Sequence, residues 1–374
     1  MCGIIGFTGT QQVAPILLEG LKRMEYRGYD SAGLAIDEGG RINMVKTVGR
    51  LENLCRLTND GADINGVSGL GHTRWATHGA PTVGNAHPHM SNDGIFAVVH
   101  NGIIENYAVL RDELLRKGFK FHSETDTEVI AHLLDMYYDG DMKKAAMKTV
   151  SRLEGSYGLG VLCTKHPGQL IAVKCASPLV VGIVVGENMF ASDVTAIIEH
   201  TRNVIYMDDG EFVSITPEKV EVFDCTGAEV KKKPTHISWS VEAAEKGGYD
   251  HFMLKEIMEQ PRALKAAIEP RIKDGSIVFE GMDFSDEELR GITNIVITAC
   301  GSAYHAGCVG RYVIEELCRI PVRVEVASEL RYRNPIIDGH TLTVVISQSG
   351  ETADTIAALK ECKALGARSI AIVN

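Results

Sequence analysis

The order of strand-like and helical segments constrains this chain more than any single residue, because that order changes once along its length. Up to residue 230, short β-rich runs occur at Ala32–Ile36, Val67–Gly71, Ile95–Val99 and Gly158–Cys163, with more between Leu170 and Phe223. The helical stretches Tyr107–Arg116, Thr127–Tyr138 and Met142–Arg152 stand together instead of alternating with strands, which predicts an α+β layered domain. Val13–Met24 carries Val13, Ile16, Leu17, Leu21 and Met24 at helical spacing, as a helix buried on one face does. From Asn294 the pattern becomes strand, loop, helix. Ile295–Thr298 and Leu342–Val345 each lead through a Ser/Gly turn into a helix, and Val322–Val326 and Ser369–Val373 are further strands. That is the sequence form of parallel βαβ units. Lys231-Lys232-Lys233-Pro234 and the polar stretch to Gly247-Gly248 mark the boundary. The expected division is therefore a domain at 1–230, a linker at 231–250 and a second domain at 251–374.

Composition narrows the class. A chain of 374 residues exceeds one typical domain, and 45% hydrophobic with 23% charged residues is ordinary for a soluble globular protein. The formal net charge of -11 argues against nucleic acid or an anionic membrane as a partner. No apolar run is long enough to span a bilayer, and no basic stretch with an apolar signal region opens the chain. Nine cysteines lie scattered without a CxxC pair, which reads as reduced thiols and a cytoplasmic location. The closest histidine cluster, His87-Pro88-His89, has neither Cys nor Glu at zinc-ligand spacing, so no metal is expected.

The chemistry is concentrated at the start. Removing Met1 would leave Cys2 with a free α-amine, so that one residue holds a thiol nucleophile and a base of reference pKa ~7.7–8.0. Gly3 keeps the approach uncrowded, and Ile4-Ile5-Gly6-Phe7 reads as a buried strand behind it. The alternative is a buried free thiol. His72 to Gly79 follows a strand and is expected to be a flexible loop, in which Arg74 is either a fork for a substrate carboxylate or a solvated surface cation. Asn101 and Gly102 offer an amide and a backbone N–H for an oxyanion hole; Asn-Gly is equally a hairpin turn. Asp126 is either the N-cap of the following helix or an acceptor for a substrate ammonium. In the second domain, Ser347-Gln348-Ser349-Gly350-Glu351-Thr352 sits where a strand ends and a helix begins, and converging hydroxyls and N–H groups make an anion pocket there. Cys300-Gly301-Ser302-Ala303 occupies the same place in the preceding unit.

Cys2-Gly3-Ile4, the Tyr26–Gly33 segment, the His72–Gly79 loop, His100–Asn106 and Ser123–Thr127 together closely resemble the glutamine–fructose-6-phosphate aminotransferases (glucosamine-6-phosphate synthases), in order and over essentially the whole chain. The resemblance implies an α+β N-terminal-nucleophile glutaminase of four αββα layers. After it would come an incomplete α/β sugar isomerase (SIS) domain, a flavodoxin-like three-layer αβα fold. It implies that Cys2 attacks the side-chain amide of glutamine, with Asn101 and Gly102 as the oxyanion hole. Arg74, Thr77 and His78 would receive the substrate α-carboxylate and Asp126 its α-ammonium. Trp75 would gate an ammonia channel, or else anchor its loop in the core, while Arg27 and Asp30 would support the site. Ser347, Gln348, Ser349 and Thr352 would hold fructose 6-phosphate, with Ser302 adding a hydroxyl. Ala303 stands where family members often carry a hydroxyl residue.

By the same resemblance the partners are glutamine and fructose 6-phosphate, no metal or organic cofactor takes part, and the full-length protein is a homodimer. The family continues into a second SIS domain and a C-terminal tail. The chain ends at Asn374 directly after a strand, so the expectation is a piece of a longer protein with at most glutaminase activity. Two other readings share some of these features. One is an amidophosphoribosyltransferase, whose second half should carry an acidic diphosphate-binding loop; the other is a phosphosugar-binding regulator with an inactive glutaminase domain.

Overall fold

The computed structural model describes residues 2–76, 79–237, 248–273, 275–279, 284–350 and 352–373. The chain divides into two compact units, Met1–Ile257 and Met258–Asn374.

In the first unit, two antiparallel sheets stack face to face. The larger runs in the order β14-β11-β9-β10-β1-β4-β2-β3, the smaller in the order β13-β12-β8-β7-β6-β5. The strands are β1 (Gly3–Thr8), β2 (Ser31–Asp37), β3 (Ile42–Val48), β4 (Ser68–Arg74), β5 (His89–Met90), β6 (Phe96–Ile104) and β7 (Gly155–Cys163). They continue with β8 (Leu170–Cys175), β9 (Val180–Val184), β10 (Glu187–Ala191), β11 (Asn203–Tyr206), β12 (Phe212–Ile215), β13 (Val220–Phe223) and β14 (Thr235–His236). Strand period decides which layer each side chain joins. In β1, Ile5 and Phe7 pack against α1 (Val13–Arg23) and α2 (Leu51–Leu57), whereas Ile4 faces the other sheet. In β6, Phe96 and Val98 meet α3 (Tyr107–Arg116), α4 (Glu128–Tyr137) and α5 (Met142–Val150), whereas Ala97 and Val99 face inward. Three cores therefore separate four layers, helix, sheet, sheet, helix. This is the αββα arrangement.

The structure redraws several expectations. His72 and Arg74 lie in β4, not in a loop, and Asn101-Gly102 sits inside β6, paired with Gly158 and Tyr157, not in a hairpin turn. Thr127, not Asp126, holds the N-cap position of α4, though its side chain makes no capping bond. α2 and the long α6 (Phe252–Ile268) are additions, because their apolar residues do not stand out from the surrounding polar sequence. The start of the expected linker belongs to the first unit. Lys232 pairs with Asp208 and Glu211, β14 adds to the edge of β11, and Ile237 is buried against α1. Residues 238–247 of that linker lie outside the described residues.

The second unit contains a small hairpin, β15 (Ile272–Lys273) with β16 (Ser276–Ile277), and a four-stranded parallel sheet. Its strands β17 (Asn294–Ala299), β18 (Val322–Val326), β19 (Thr341–Ser347) and β20 (Arg368–Val373) run in the order β18-β17-β19-β20. The helices are α7 (Asp286–Arg290), α8 (Gly301–Cys318), α9 (Ala327–Tyr332) and α10 (Ala353–Ala364). α7 starts from a capping box in which Ser285 and Glu288 bond each other's backbone. Apolar residues line both faces of the sheet, Ile295, Ile297 and Val344 on one and Val296 with Ala327, Leu330 and Ala358 on the other. That makes three layers.

Candidate active site

Strand pairing assembles the first site. Gly3 pairs with Thr73 across β1 and β4, its N–H donating to the Thr73 hydroxyl at 3.1 Å, so Cys2 lies beside the end of β4. There the Trp75 N–H donates to Cys2 Sγ at 3.1 Å. Asn101, from the opposite sheet, donates from Nδ2 to the Cys2 carbonyl at 3.0 Å. Asp30 caps the turn after β4 by accepting from the Ala76 N–H.

A small cleft opens at the thiol, lined by Cys2, Arg74, Trp75, Gly102, Thr125 and Asp126, with His87, His100 and Thr127 beneath. Arg74 is buried and reaches the carbonyls of Gly79 and Ala80 at 3.3 and 3.4 Å. Asp126 is also buried, and its carboxylate accepts the Ile104 N–H at 2.8 Å. A guanidinium and a carboxylate thus line one cleft with the thiol, a charge pattern matched to an α-amino acid. Glu128 braces this turn. Burial alone would raise its pKa, but the His132 ring 3.5 Å away and hydrogen bonds from the Ser123 hydroxyl and the His122 and Ser123 N–H groups hold it down to about 2. Trp75 is 54% exposed and its ring covers Gly28. Thr77 and His78 lie outside the described residues.

Burial pushes the Cys2 thiol up, against a smaller opposing effect of the Trp75 N–H. The thiol is therefore protonated at neutral pH and needs a base to become a nucleophile.

Sequence reasoning missed the floor of the site. His72, His87, His89 and His100 are buried together, His72 stacked on His87 with ring centroids 4.3 Å apart. The Thr127 hydroxyl meets His87 Nε2 and His100 Nδ1, each at 2.9 Å, and the Thr125 hydroxyl meets His89 Nε2 at 3.1 Å. Burial lowers all four pKa values, to about 3 for His72 and His89, so the rings are neutral. Histidines inside otherwise apolar strand runs, His72 in β4 and His100 in β6, were the available signal. Among the described residues no group of three or more His, Cys, Asp or Glu is arranged to hold a metal ion.

In the second unit, β17 leads to α8 and β18 on one side, and the chain then crosses back to β19 on the other. The ends of β17 and β19 therefore flank a topological switch point, where open α/β sheets bind ligands. The register Ala299 to Ile346 sets their two turns side by side, and the Thr355 hydroxyl reaches Cys300 Sγ at 3.9 Å. Ser347 Oγ accepts the Gly350 N–H at 3.1 Å and lies 3.1 Å from the Thr352 hydroxyl. Gln348 is exposed and Ser349 half-buried, while Ser302 is exposed in the first turn of α8; Glu351 lies outside the described residues.

Comparison with known proteins agrees with this anatomy. The profile of the glutamine amidotransferase domain family matches residues 50–246, more than half of the chain. The chain belongs to the glutamine amidotransferase family. The SIS domain profile matches residues 288–374. Among curated relatives, the glutamine–fructose-6-phosphate aminotransferase [isomerizing] of Caldanaerobacter subterraneus subsp. tengcongensis is 56% identical over 375 aligned residues, covering 100% of this chain and 62% of the relative. A protein of the same name from Thermus thermophilus is 45% identical, again over 100% of this chain and 61% of the relative. This amidotransferase chain thus spans less than two thirds of the length of the relatives it matches. A solved structure of glutamine phosphoribosylpyrophosphate amidotransferase from B. subtilis aligns with 100% of the chain and 81% of its own, at 18% identity and a TM-score of 0.54, a likeness of fold.

Proposed function

We propose that this chain is the glutamine-hydrolysing part, with the first sugar-phosphate-binding domain, of an enzyme that converts fructose 6-phosphate and glutamine to glucosamine 6-phosphate and glutamate. The observation that carries the reading is one cleft lined by the Cys2 thiol, Arg74, Gly102 and Asp126, with Asn101 bonded to the Cys2 carbonyl beside it.

The steps follow from the groups. Removal of Met1 frees the α-amine of Cys2, which takes the thiol proton as Sγ attacks the carboxamide carbon of glutamine. The carbonyl oxygen becomes an oxyanion, and Asn101 Nδ2 with the Gly102 N–H donate to it. Collapse breaks the carbon–nitrogen bond, and the α-ammonium returns its proton to the departing ammonia. Water then attacks the γ-glutamyl thioester, giving up a proton to the amine, and releases glutamate and the thiol. Arg74, Thr77 and His78 hold the substrate α-carboxylate, and Asp126 its α-ammonium. Trp75 serves as the gate through which ammonia leaves.

Ser347, Gln348, Ser349 and Thr352 hold the sugar phosphate, assisted by Ser302, on the N–H groups and dipole at the start of α10. The 288–374 SIS match supports a phosphosugar over a diphosphate acceptor. The full-length enzyme works as a cytoplasmic homodimer, a location that suits nine free cysteines.

The test is glutamate release from glutamine by the chain and by Cys2→Ala. The chain should release glutamate and the variant should not; equal background rates would instead favour the phosphosugar-binding regulator. Mass spectrometry of the active protein should show Met1 absent, and retained Met1 would block the α-amine and overturn the mechanism. Substantial glucosamine 6-phosphate formation by these 374 residues alone would overturn the assignment of sugar conversion to the remainder of the protein.

A further inference from the structure

The cluster beneath the cleft holds one ring whose geometry determines how Asn101 faces the nucleophile. His72 Nε2 lies 3.1 Å from the His100 carbonyl oxygen and 3.0 Å from Asn101 Oδ1. A backbone carbonyl can only accept, so the Nε2 nitrogen must carry the proton. The Asn101 atom sharing that proton must then be an acceptor, which makes it the oxygen. At the other end of the same amide, the atom facing the Cys2 carbonyl at 3.0 Å must be a donor, which makes it the nitrogen. Both ends agree. A flipped amide would set an N–H against N–H at His72 and oxygen against oxygen at Cys2.

The ring itself has little freedom. His72 is fully buried in β4 and stacked on His87, whose Nε2 is held by the Thr127 hydroxyl. Its Nδ1 is buried without a hydrogen-bond partner among the described residues, so the opposite tautomer would strand a proton there. Burial keeps the ring neutral, and the two acceptors at Nε2 hold its single proton there.

We propose that His72 is a positioning residue for amide hydrolysis, its Nε2–H fixing the Asn101 side chain so that Nδ2 faces the reacting carbonyl. The proposal rests on the glutaminase reading above and deepens it, since the oxyanion hole then depends on a ring that never touches substrate.

The test compares two amide side chains of different reach in the 374-residue chain. In His72→Gln the side-chain nitrogen reaches the place of Nε2; in His72→Asn it falls one bond short. His72→Asn should lose about 10- to 100-fold in kcat for glutamate release, below the full loss of an oxyanion donor, with KM for glutamine within about 2-fold. His72→Gln should recover most of that loss. In an Asn101→Ala background His72→Asn should add almost nothing, because its partner is gone. Binding of a γ-aldehyde analogue of glutamine, whose thiohemiacetal places an oxyanion in the hole, should weaken in parallel with kcat, while glutamate binding stays unchanged. A loss in KM instead of kcat, equal rates for the Gln and Asn variants, or full additivity with Asn101→Ala would overturn the proposal. Chains that misfold are recognised by lost glutamate binding, and the Gln-against-Asn comparison then decides the matter. Wild type that releases no glutamate would overturn the glutaminase reading and this inference together, whereas an active wild type with an equally active His72→Asn overturns this inference alone.

Discussion

The two units build polar sites by opposite means. In the first, the site residues are side chains just before β1, on β4 and β6 and in the turn before α4, brought together over sequence separations of up to 99 residues. Arg74, Asn101 and Asp126 are buried, and each has protein partners before substrate arrives. In the second, the groups come from two turns at the ends of adjacent parallel strands, and much of their polarity is backbone N–H. A site of interlocked side chains is pre-organised and intolerant of change; a site of strand-end turns can lose a hydroxyl and keep its shape. The contrast sets the order of the expected effects.

Cys2→Ala tests it most severely. Removing a covalent nucleophile should lower glutamate release at least about 10⁴-fold. Phosphate-ester binding by the second unit, followed by calorimetry on the same sample, should not change. A parallel loss of both would mean the units are not independent in function.

Backbone substitutions at two glycines come next. Gly102 has φ +129, and a Cβ there would lie 2.0 Å from the Ser156 carbonyl oxygen, in the middle of the β6–β7 ladder. Gly102→Ala must therefore break strand pairing at the site, at a cost above about 3 kcal/mol, with glutaminase activity lost. Gly350 also has positive φ, +66, but a Cβ would meet only Val373 at 3.7 Å. Gly350→Ala should cost about 1 kcal/mol, the price of a left-handed residue alone. Urea unfolding of both variants checks the pair, and equal costs would remove the distinction between a packed site and an open turn.

What the sequence made legible follows the same division. The four parallel strands of the second unit are local patterns, and the structure keeps β17, β19 and β20 within a residue or two of their expected bounds. In the first unit Cys2 stood out by its position after Met1, but only motif resemblance chose between the alternatives for the rest, since nothing local in Asn101-Gly102 distinguishes a strand with unusual φ from a turn. Nor does spacing say that His72, His87, His89 and His100 share one core. Those contacts arise from β4 and β6 facing each other across the sandwich, a relation that periodicity cannot encode.

The histidine floor predicts an acid response confined to the first unit. An unfolded chain takes up protons at these four positions below pH ~6.5, whereas the folded rings, held at about 3 for His72 and His89 by burial, do not. The unfolded state then binds more protons, so stability is intact above pH ~6.5 and falls as pH falls, by about 1 kcal/mol per histidine between pH 7 and 5.5. Asp135 acts in the opposite sense. Burial beside Asp93 raises it to about 6, so the folded state gains a proton there and offsets part of the loss. The urea midpoint of the first unit should therefore drop over this range by a net few kcal/mol equivalent. His305 and His340 of the second unit are exposed, and its midpoint should hold. A first unit equally stable at pH 5.5 and 7 would mean the rings are charged or solvated in the folded state.

Ser347→Ala should have the smallest effect. Ser347 Oγ accepts the Gly350 N–H and contacts the Thr352 hydroxyl, so its loss removes two hydrogen bonds from the turn. Gly350 is exposed, however, and water can replace the lost acceptor, so stability should fall by only about 1 kcal/mol. Fructose 6-phosphate affinity, measured by calorimetry, should fall about 10-fold, because one hydroxyl is lost from a pocket that keeps its backbone donors. Glutaminase activity should be unaffected. If instead binding disappears altogether, the turn depends on its side chains as heavily as the first site does, and the two units follow one design.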